Sequence, residues 1–176
     1  DQLAEEACRI EIDIVGKPIG RQDQYAAAHG GINRFVFYPD DSTKKVPVTL
    51  NNSNFRIFSS SILIYYTGVT RSADAILSEQ KEGFSEQEKY DIMCEMVSLV
   101  EPFKYAMEAG DIETCGMLLD KNWQLKQKMA SGISNGKIGE MYEKAKKAGA
   151  LGGKIAGAGG GGFLMLIVPR EKQNPV

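Results

Sequence analysis

The run Gly157-Ala158-Gly159-Gly160-Gly161-Gly162 places five glycines in six residues, more than a flexible turn requires. Backbone this bare serves close approach, either to another loop or to an anion such as phosphate, against which successive N–H groups form a concavity. The run formally contains GxGxxG at Gly157, Gly159 and Gly162. That dinucleotide fingerprint needs a strand before it and a helix after it. Here the pattern predicts a helix before the run and a strand, Phe163 to Val168, after it, which excludes the Rossmann reading. A second candidate is Asp23, at the junction of the loop Gly16-Lys17-Pro18-Ile19-Gly20 with a short helix. A carboxylate at such a junction either caps the helix or presents a catalytic base. Glu11 is a third candidate, on the apolar stripe of the first helix, four residues after Ala7 and three before Ile14. A carboxylate on an inward face needs a cation, whether a metal or a basic side chain; at the rim it is hydrated instead.

The elements that hold these residues follow from periodicity. Residues 2–14 read as an amphipathic helix with Leu3, Ala7, Ile10 and Ile14 inward and Glu5, Glu6, Arg9 and Asp13 outward. A short helix, Gln24 to His29, ends on Gly30-Gly31. Phe35–Tyr38 and Val46–Leu50 read as strands around the turn Pro39-Asp40-Asp41-Ser42, and Ile57–Tyr66 as the strongest strand, rich in β-branched and aromatic residues. From Ser72 to about Met129 the period is helical, with breaks at Gly83, Pro102 and Gly110. Lys137–Ala148 is a further amphipathic helix with Ile138, Met141, Tyr142 and Ala145 inward.

Composition narrows the function classes. The chain has 176 residues, 43% hydrophobic and 25% charged, as expected for one globular domain with a piece of a second. A net charge of −2 offers nothing to a polyanion, so nucleic acid is not an expected partner. The longest apolar stretch has six residues where a membrane span needs about 20, so no membrane partner is expected. The opening Asp1-Gln2-Leu3-Ala4 lacks the basic start and apolar core of a secretory signal. Cys8, Cys94 and Cys115 are widely spaced and His29 is the single histidine, so a structural zinc site and a Ser-His-Asp hydrolase are both poorly supported. Three reduced, mostly buried thiols in a cytoplasmic protein are expected.

Taken together, Asp23-Gln24 after a Gly-x-Pro-x-Gly loop and the glycine run before a strand resemble the GHMP kinase superfamily, small-molecule kinases acting on galactose, homoserine, mevalonate and related alcohols. The likeness extends to Glu6-Ala7-Cys8-Arg9-Ile10-Glu11, Gln22–Ala27, Tyr66-Thr67-Gly68 with Arg71, and Gly153–Ala158, and is strongest toward the branch that phosphorylates heptose 7-phosphate. The resemblance implies an α+β, GHMP kinase-like fold. Residues 1–48 would be a remnant of the N-terminal, ribosomal S5-like domain, and 49–176 most of a ferredoxin-like C-terminal domain truncated at its end. It implies ATP and Mg²⁺ as cofactors and a sugar phosphate as the small-molecule partner. Asp23 matches the aspartate that takes the proton from, or orients, the accepting hydroxyl, and Glu11 the magnesium-binding glutamate. Gln24, Tyr25, Thr67, Gly68 and Arg71 would line the substrate, and Gly157, Ala158, Gly159, Gly160 and Gly161 would contact the ATP phosphate loop. The family's first and second motifs, the latter being its phosphate loop, are not found before Glu11, so the chain is expected to be a piece of a kinase, inactive alone. Galactokinase or fucokinase activity and a non-catalytic sugar-binding module are the alternatives.

Overall fold

Small residues decide how the first helix packs. In the computed structural model, which describes every residue except Arg71 and Phe84, α1 (Gln2–Cys8) continues directly into a π-helical turn, Arg9–Ile14. Ala4 and Cys8 are buried with Tyr25, and Ile12, Ala28 and Phe35 pack around them. Leu3, Ile10 and Ile14, expected inward, are instead 68%, 53% and 69% exposed. The inward stripe is Ala4, Cys8 and Ile12, at a spacing of four, because two short side chains let α2 (Gln22–His29) come close and the wider π turn carries Ile12 into the same line. The helix α2 stops at Gly30, whose φ of +60° favours glycine.

A hairpin completes this first unit, Asp1–Thr49. Strands β1 (Asn33–Phe37) and β2 (Thr43–Pro47) pair antiparallel from Asn33↔Pro47 to Phe37↔Thr43. The second strand therefore begins and ends earlier than Val46–Leu50. Asp40 fixes the turn by accepting from the Ser42 amide at 3.0 Å and its hydroxyl at 2.6 Å. Tyr25 meets Phe35 and Phe37 edge-on, with ring centroids 5.8 and 5.4 Å apart.

The second unit, Leu50–Val176, opens with a helix where a strand is expected. α3 (Asn52–Ser61) takes the first half of Ile57–Tyr66, and only Ile62–Tyr66 is strand, β3. Asn51 caps the helix by accepting from the Asn54 amide at 2.8 Å. At its other end Ser59, Ser60 and Ser61 turn their hydroxyls back onto the carbonyls of Arg56, Ile57 and Phe58. Phe58 packs edge-on against Phe103 with centroids 6.2 Å apart, a tertiary contact that outweighs the β propensity of the segment.

Four helices follow: α4 (Ala73–Gly83), α5 (Gln87–Ser98), α6 (Val100–Ala109) and α7 (Ile112–Lys126). Gly83 and Gly110 end helices as expected. Pro102 does not break one, because it stands in the first turn of α6, where its missing N–H costs nothing. α8 (Gly136–Ala148) buries Ile138, Tyr142 and Ala145. Strands β4 (Gly152–Ile155) and β5 (Phe163–Ile167) then join β3 in a sheet of order β3-β5-β4, antiparallel throughout. Its core joins Trp123, Met129, Ile133, Ile138, Tyr142, Ile155, Leu164, Leu166 and Val168. This mixture of helices and antiparallel sheet is the expected α+β class. Cys8 and Cys115 are buried and Cys94 is exposed, so the thiols are mostly buried as expected, and burial pushes the Cys115 thiol up to about 11. No helix of the described residues is long and apolar enough to cross a membrane.

Candidate functional site

The candidate residues fall into two groups, one in each unit. In the first, Asp23 is the second residue of α2, and it is exposed. It is not the N-cap, a place taken by Arg21, which makes no side-chain capping bond. Arg21 instead lies 3.5 Å from Asp41 and over the Phe37 ring at 5.3 Å. Gln24 turns the other way and is buried, and its Nε2 donates to Glu11 Oε2 at 3.1 Å. Glu11 is exposed and sits in the π-helical turn, where the Val15 amide donates to the Ile10 carbonyl and the Lys17 amide to the Glu11 carbonyl, both at 2.9 Å. The fold thus joins Glu11 to the segment bearing Asp23 across 13 residues of sequence. Tyr25 is 2% exposed and its ring belongs to the core of this unit, so its contribution is to seat α2. Cys8, next to this group, has its thiol raised chiefly by burial, which keeps it protonated and unreactive.

The second group gathers around the glycine run, which is the loop of the β4–β5 hairpin. A strand, β4, directly precedes it, where a helix is expected; no helix follows, so the dinucleotide reading stays excluded. The loop is bound inward at alternate residues. The Gly160 amide donates to the Ile133 carbonyl at 2.7 Å, and the Gly162 amide to the Val69 carbonyl at 2.8 Å. Thr67, 3% exposed, returns both its amide and its hydroxyl to the Gly162 carbonyl at 2.9 Å. A Cβ on Gly161 would fall 2.4 Å from the Val69 carbonyl oxygen, and one on Gly159 would fall 2.9 Å from Ile133 Cγ2. Close approach of one loop to another therefore accounts for part of the glycine content. The amides of Gly157, Ala158, Gly159 and Gly161 have no backbone acceptor among the described residues and remain for other partners.

Three supports of this loop were not legible in the sequence. Lys126 Nζ donates to the Gly157 carbonyl. Glu79 accepts from the Ser131 amide at 2.8 Å and its hydroxyl at 3.1 Å, holding the segment that carries Ile133. Lys137 Nζ lies 3.3 Å from where a Cβ on Gly68 would stand, and Gly68 has φ +66°. These contacts span long sequence separations and carry no local signature, apart from Asn135, a recognisable N-cap that accepts from the Ile138 amide at 3.0 Å. Arg71 lies outside the described residues. Thr67→Val keeps the shape and removes the hydroxyl bond to Gly162. It is expected to destabilise the second unit by about 1–2 kcal/mol, read as a lower denaturant midpoint at unchanged slope. An unchanged midpoint would mean that the Thr67 amide alone holds the loop.

A magnesium ion fits the first group by the chemistry of its donors. Mg²⁺ is commonly held by one or two carboxylates together with substrate phosphates and water. Glu11 supplies a carboxylate on an exposed turn, and the described residues contain no cluster of three or more His, Cys, Asp or Glu that would form an all-protein cage.

Residues 103–175 match the family model described as GHMP kinases C terminal. The chain is 32% identical over 174 residues to the D-glycero-alpha-D-manno-heptose 7-phosphate kinase of Campylobacter jejuni, covering 98% of this chain and 50% of that protein. It is 27% identical over 183 residues to a mevalonate kinase of Thermococcus sibiricus, covering 100% of the chain and 50% of the relative. Among solved structures, a D-glycero-D-manno-heptose 1-phosphate kinase from Bacteroides thetaiotaomicron superposes with a TM-score of 0.62 at 26% identity, covering 97% of this chain and 45% of that one. The mevalonate kinase of L. major shares the fold, with a TM-score of 0.70 at 18% identity over 88% of this chain and 46% of that one. The fold and these matches define a chain of GHMP kinase type. Residues 103–175 carry the GHMP kinases C-terminal domain, and the chain as a whole has a GHMP kinase-like fold. The chain spans about half the length of the curated relatives it matches.

Proposed function

We propose that this chain is part of an ATP- and Mg²⁺-dependent sugar kinase that phosphorylates the anomeric hydroxyl of D-glycero-D-manno-heptose 7-phosphate. The observation that carries this reading is the 32% identity to a heptose 7-phosphate kinase along nearly the whole chain. Support comes from the side chains: Glu11, Asp23 and Gln24 stand in one unit, joined by the Gln24–Glu11 bond. On this reading Asp1–Thr49 belongs to the N-terminal kinase domain and Leu50–Val176 to the C-terminal one.

Each group then has a chemical task. ATP would supply the phosphoryl group, and Mg²⁺ would neutralise charge on its oxygens. Asp23 accepts the proton of the sugar hydroxyl, for which an exposed carboxylate on the first turn of α2 is suited. Glu11 holds the cation. The glycine loop Gly157–Gly161 packs bare backbone against the phosphate loop of the complete enzyme, while Thr67 and Gly68 form the wall of the sugar-phosphate pocket that the loop rests on. Arg71, four residues after Thr67 in the sequence, is assigned to the substrate phosphate, which a guanidinium grips through two oxygens.

The test is ADP release with Mg-ATP and a panel of heptose 7-phosphate, galactose and fucose. It is run on this chain and on a polypeptide in which the chain is continued to the relatives' full length. Turnover by the longer protein with heptose 7-phosphate alone is the expected result. Turnover with a free sugar would make it a galactokinase or fucokinase. Sugar binding without ADP release would make it a binding module.

A further inference from the structure

Gln24 is deeply buried yet only half satisfied. It is 7% exposed, its Nε2 donates to Glu11 Oε2 at 3.1 Å, and its own Oε1 is buried with no hydrogen-bond partner among the described residues. An amide oxygen removed from water without a partner is a cost to folding, and methionine would fill the same space without it. Packing therefore does not account for the amide. Its paired end does what only a donor can do there, a charge-assisted bond to a carboxylate. Glu11 is fixed independently through its backbone, by the π-helical turn and by the Lys17 amide on its carbonyl at 2.9 Å. The turn and the Lys17 amide fix the Glu11 backbone, and the Gln24 amide holds one oxygen of its carboxylate.

We propose that Gln24 is a positioning residue for a divalent cation on Glu11. Its Nε2–H fixes one Glu11 oxygen and leaves the other to the cation. The proposal rests on reading Glu11 as the Mg²⁺ ligand and shifts Gln24 from a contact on the sugar to an action through Glu11. Partners of this outer kind orient a metal ligand, and their removal typically weakens metal binding ten- to a hundredfold.

The experiment titrates Mn²⁺, a paramagnetic ion with the same preference for oxygen ligands, into the ¹⁵N-labelled 176-residue chain. Free Mn²⁺ is read by electron paramagnetic resonance, and broadening of the Gln24 side-chain amide by NMR. Mn²⁺ is expected to broaden that amide in the wild-type chain, to bind at least about tenfold more weakly to Gln24→Met, and to lose the site in Glu11→Gln. The Tyr25 and His29 ring signals report whether each variant keeps its fold. Wild-type affinity in Gln24→Met, with binding lost in Glu11→Gln, would overturn the role of Gln24 and leave Glu11 as the ligand. Equal binding by the wild type and Glu11→Gln, or no binding by the wild type, would overturn both. The broadening needs no variant, so its absence in the wild-type chain also overturns the proposal if Gln24→Met fails to fold.

Discussion

Asp23→Asn is expected to lower turnover by about 10²–10⁴-fold in a catalytically competent protein carrying this chain, the range associated with loss of a general base. Asparagine keeps the size of the side chain and one acceptor oxygen but cannot take a proton at neutral pH. The substitution should leave the fold almost untouched. Asp23 is exposed, is not the helix cap, and forms no hydrogen bond or ion pair among the described residues. Its structural value is limited to a carboxylate in the first turn of α2, worth about 0.3–1 kcal/mol. Steady-state kinetics beside thermal melting separates the two effects. A collapse of kcat with a nearly unchanged Tm identifies the proton acceptor. A rise in KM with kcat preserved would identify a residue that binds the hydroxyl without taking its proton. Near-normal kinetics would remove Asp23 from the chemistry.

The glycine run was legible because composition alone forces a question about close approach, and the approach is visible at Gly159 and Gly161. The strand before it was not. Gly152-Gly153-Lys154-Ile155 has little β propensity, and it is strand because β5 offers a full partner edge, from Gly152↔Ile167 to Ile155↔Leu164. The opposite error at Ile57–Tyr66 has the same root. Its β-branched and aromatic residues fit either element, and a cap at Asn51 with an aromatic contact from Phe58 to Phe103 decided for helix at one end. For the first helix, large apolar residues at helical spacing suggested the wrong face. Burial there follows the smaller Ala4 and Cys8, because the available room is set by α2 and not by side-chain hydrophobicity. At the candidate site, Glu11, Asp23 and Gln24 could be named from resemblance. The bond that ties Gln24 to Glu11 depends on a π-helical turn, a departure from the 3.6-residue period that spacing arguments assume.

Gly152→Ala is expected to destabilise the Leu50–Val176 unit by about 3 kcal/mol or more, at the upper end of overpacking effects. No backbone strain is involved, since Gly152 is not among the glycines with positive φ. The added Cβ would instead fall 2.0 Å from the Gly116 carbonyl oxygen and 2.9 Å from the Asp120 amide nitrogen. Both are main-chain atoms of α7, so no rotamer change can make room, and the helix would have to lift from β4. That contact is reciprocal, because a Cβ on Gly116 would stand 2.2 Å from Leu151 Cβ. Lifting α7 would also disturb the bond by which the Tyr142 hydroxyl of α8 donates to Asp120 of α7. The control is Gly139→Ala in α8, where nothing lies within 4 Å of the new Cβ, and alanine should stabilise by about 0.5–1 kcal/mol. Denaturant midpoints compared across the two variants test the packing, and equal midpoints would show that α7 does not rest on β4 through these glycines. β4 is also one arm of the hairpin that carries Gly157–Gly161. A variant that survives the strain should therefore perturb the loop amides while leaving those of Asp1–Thr49 in place.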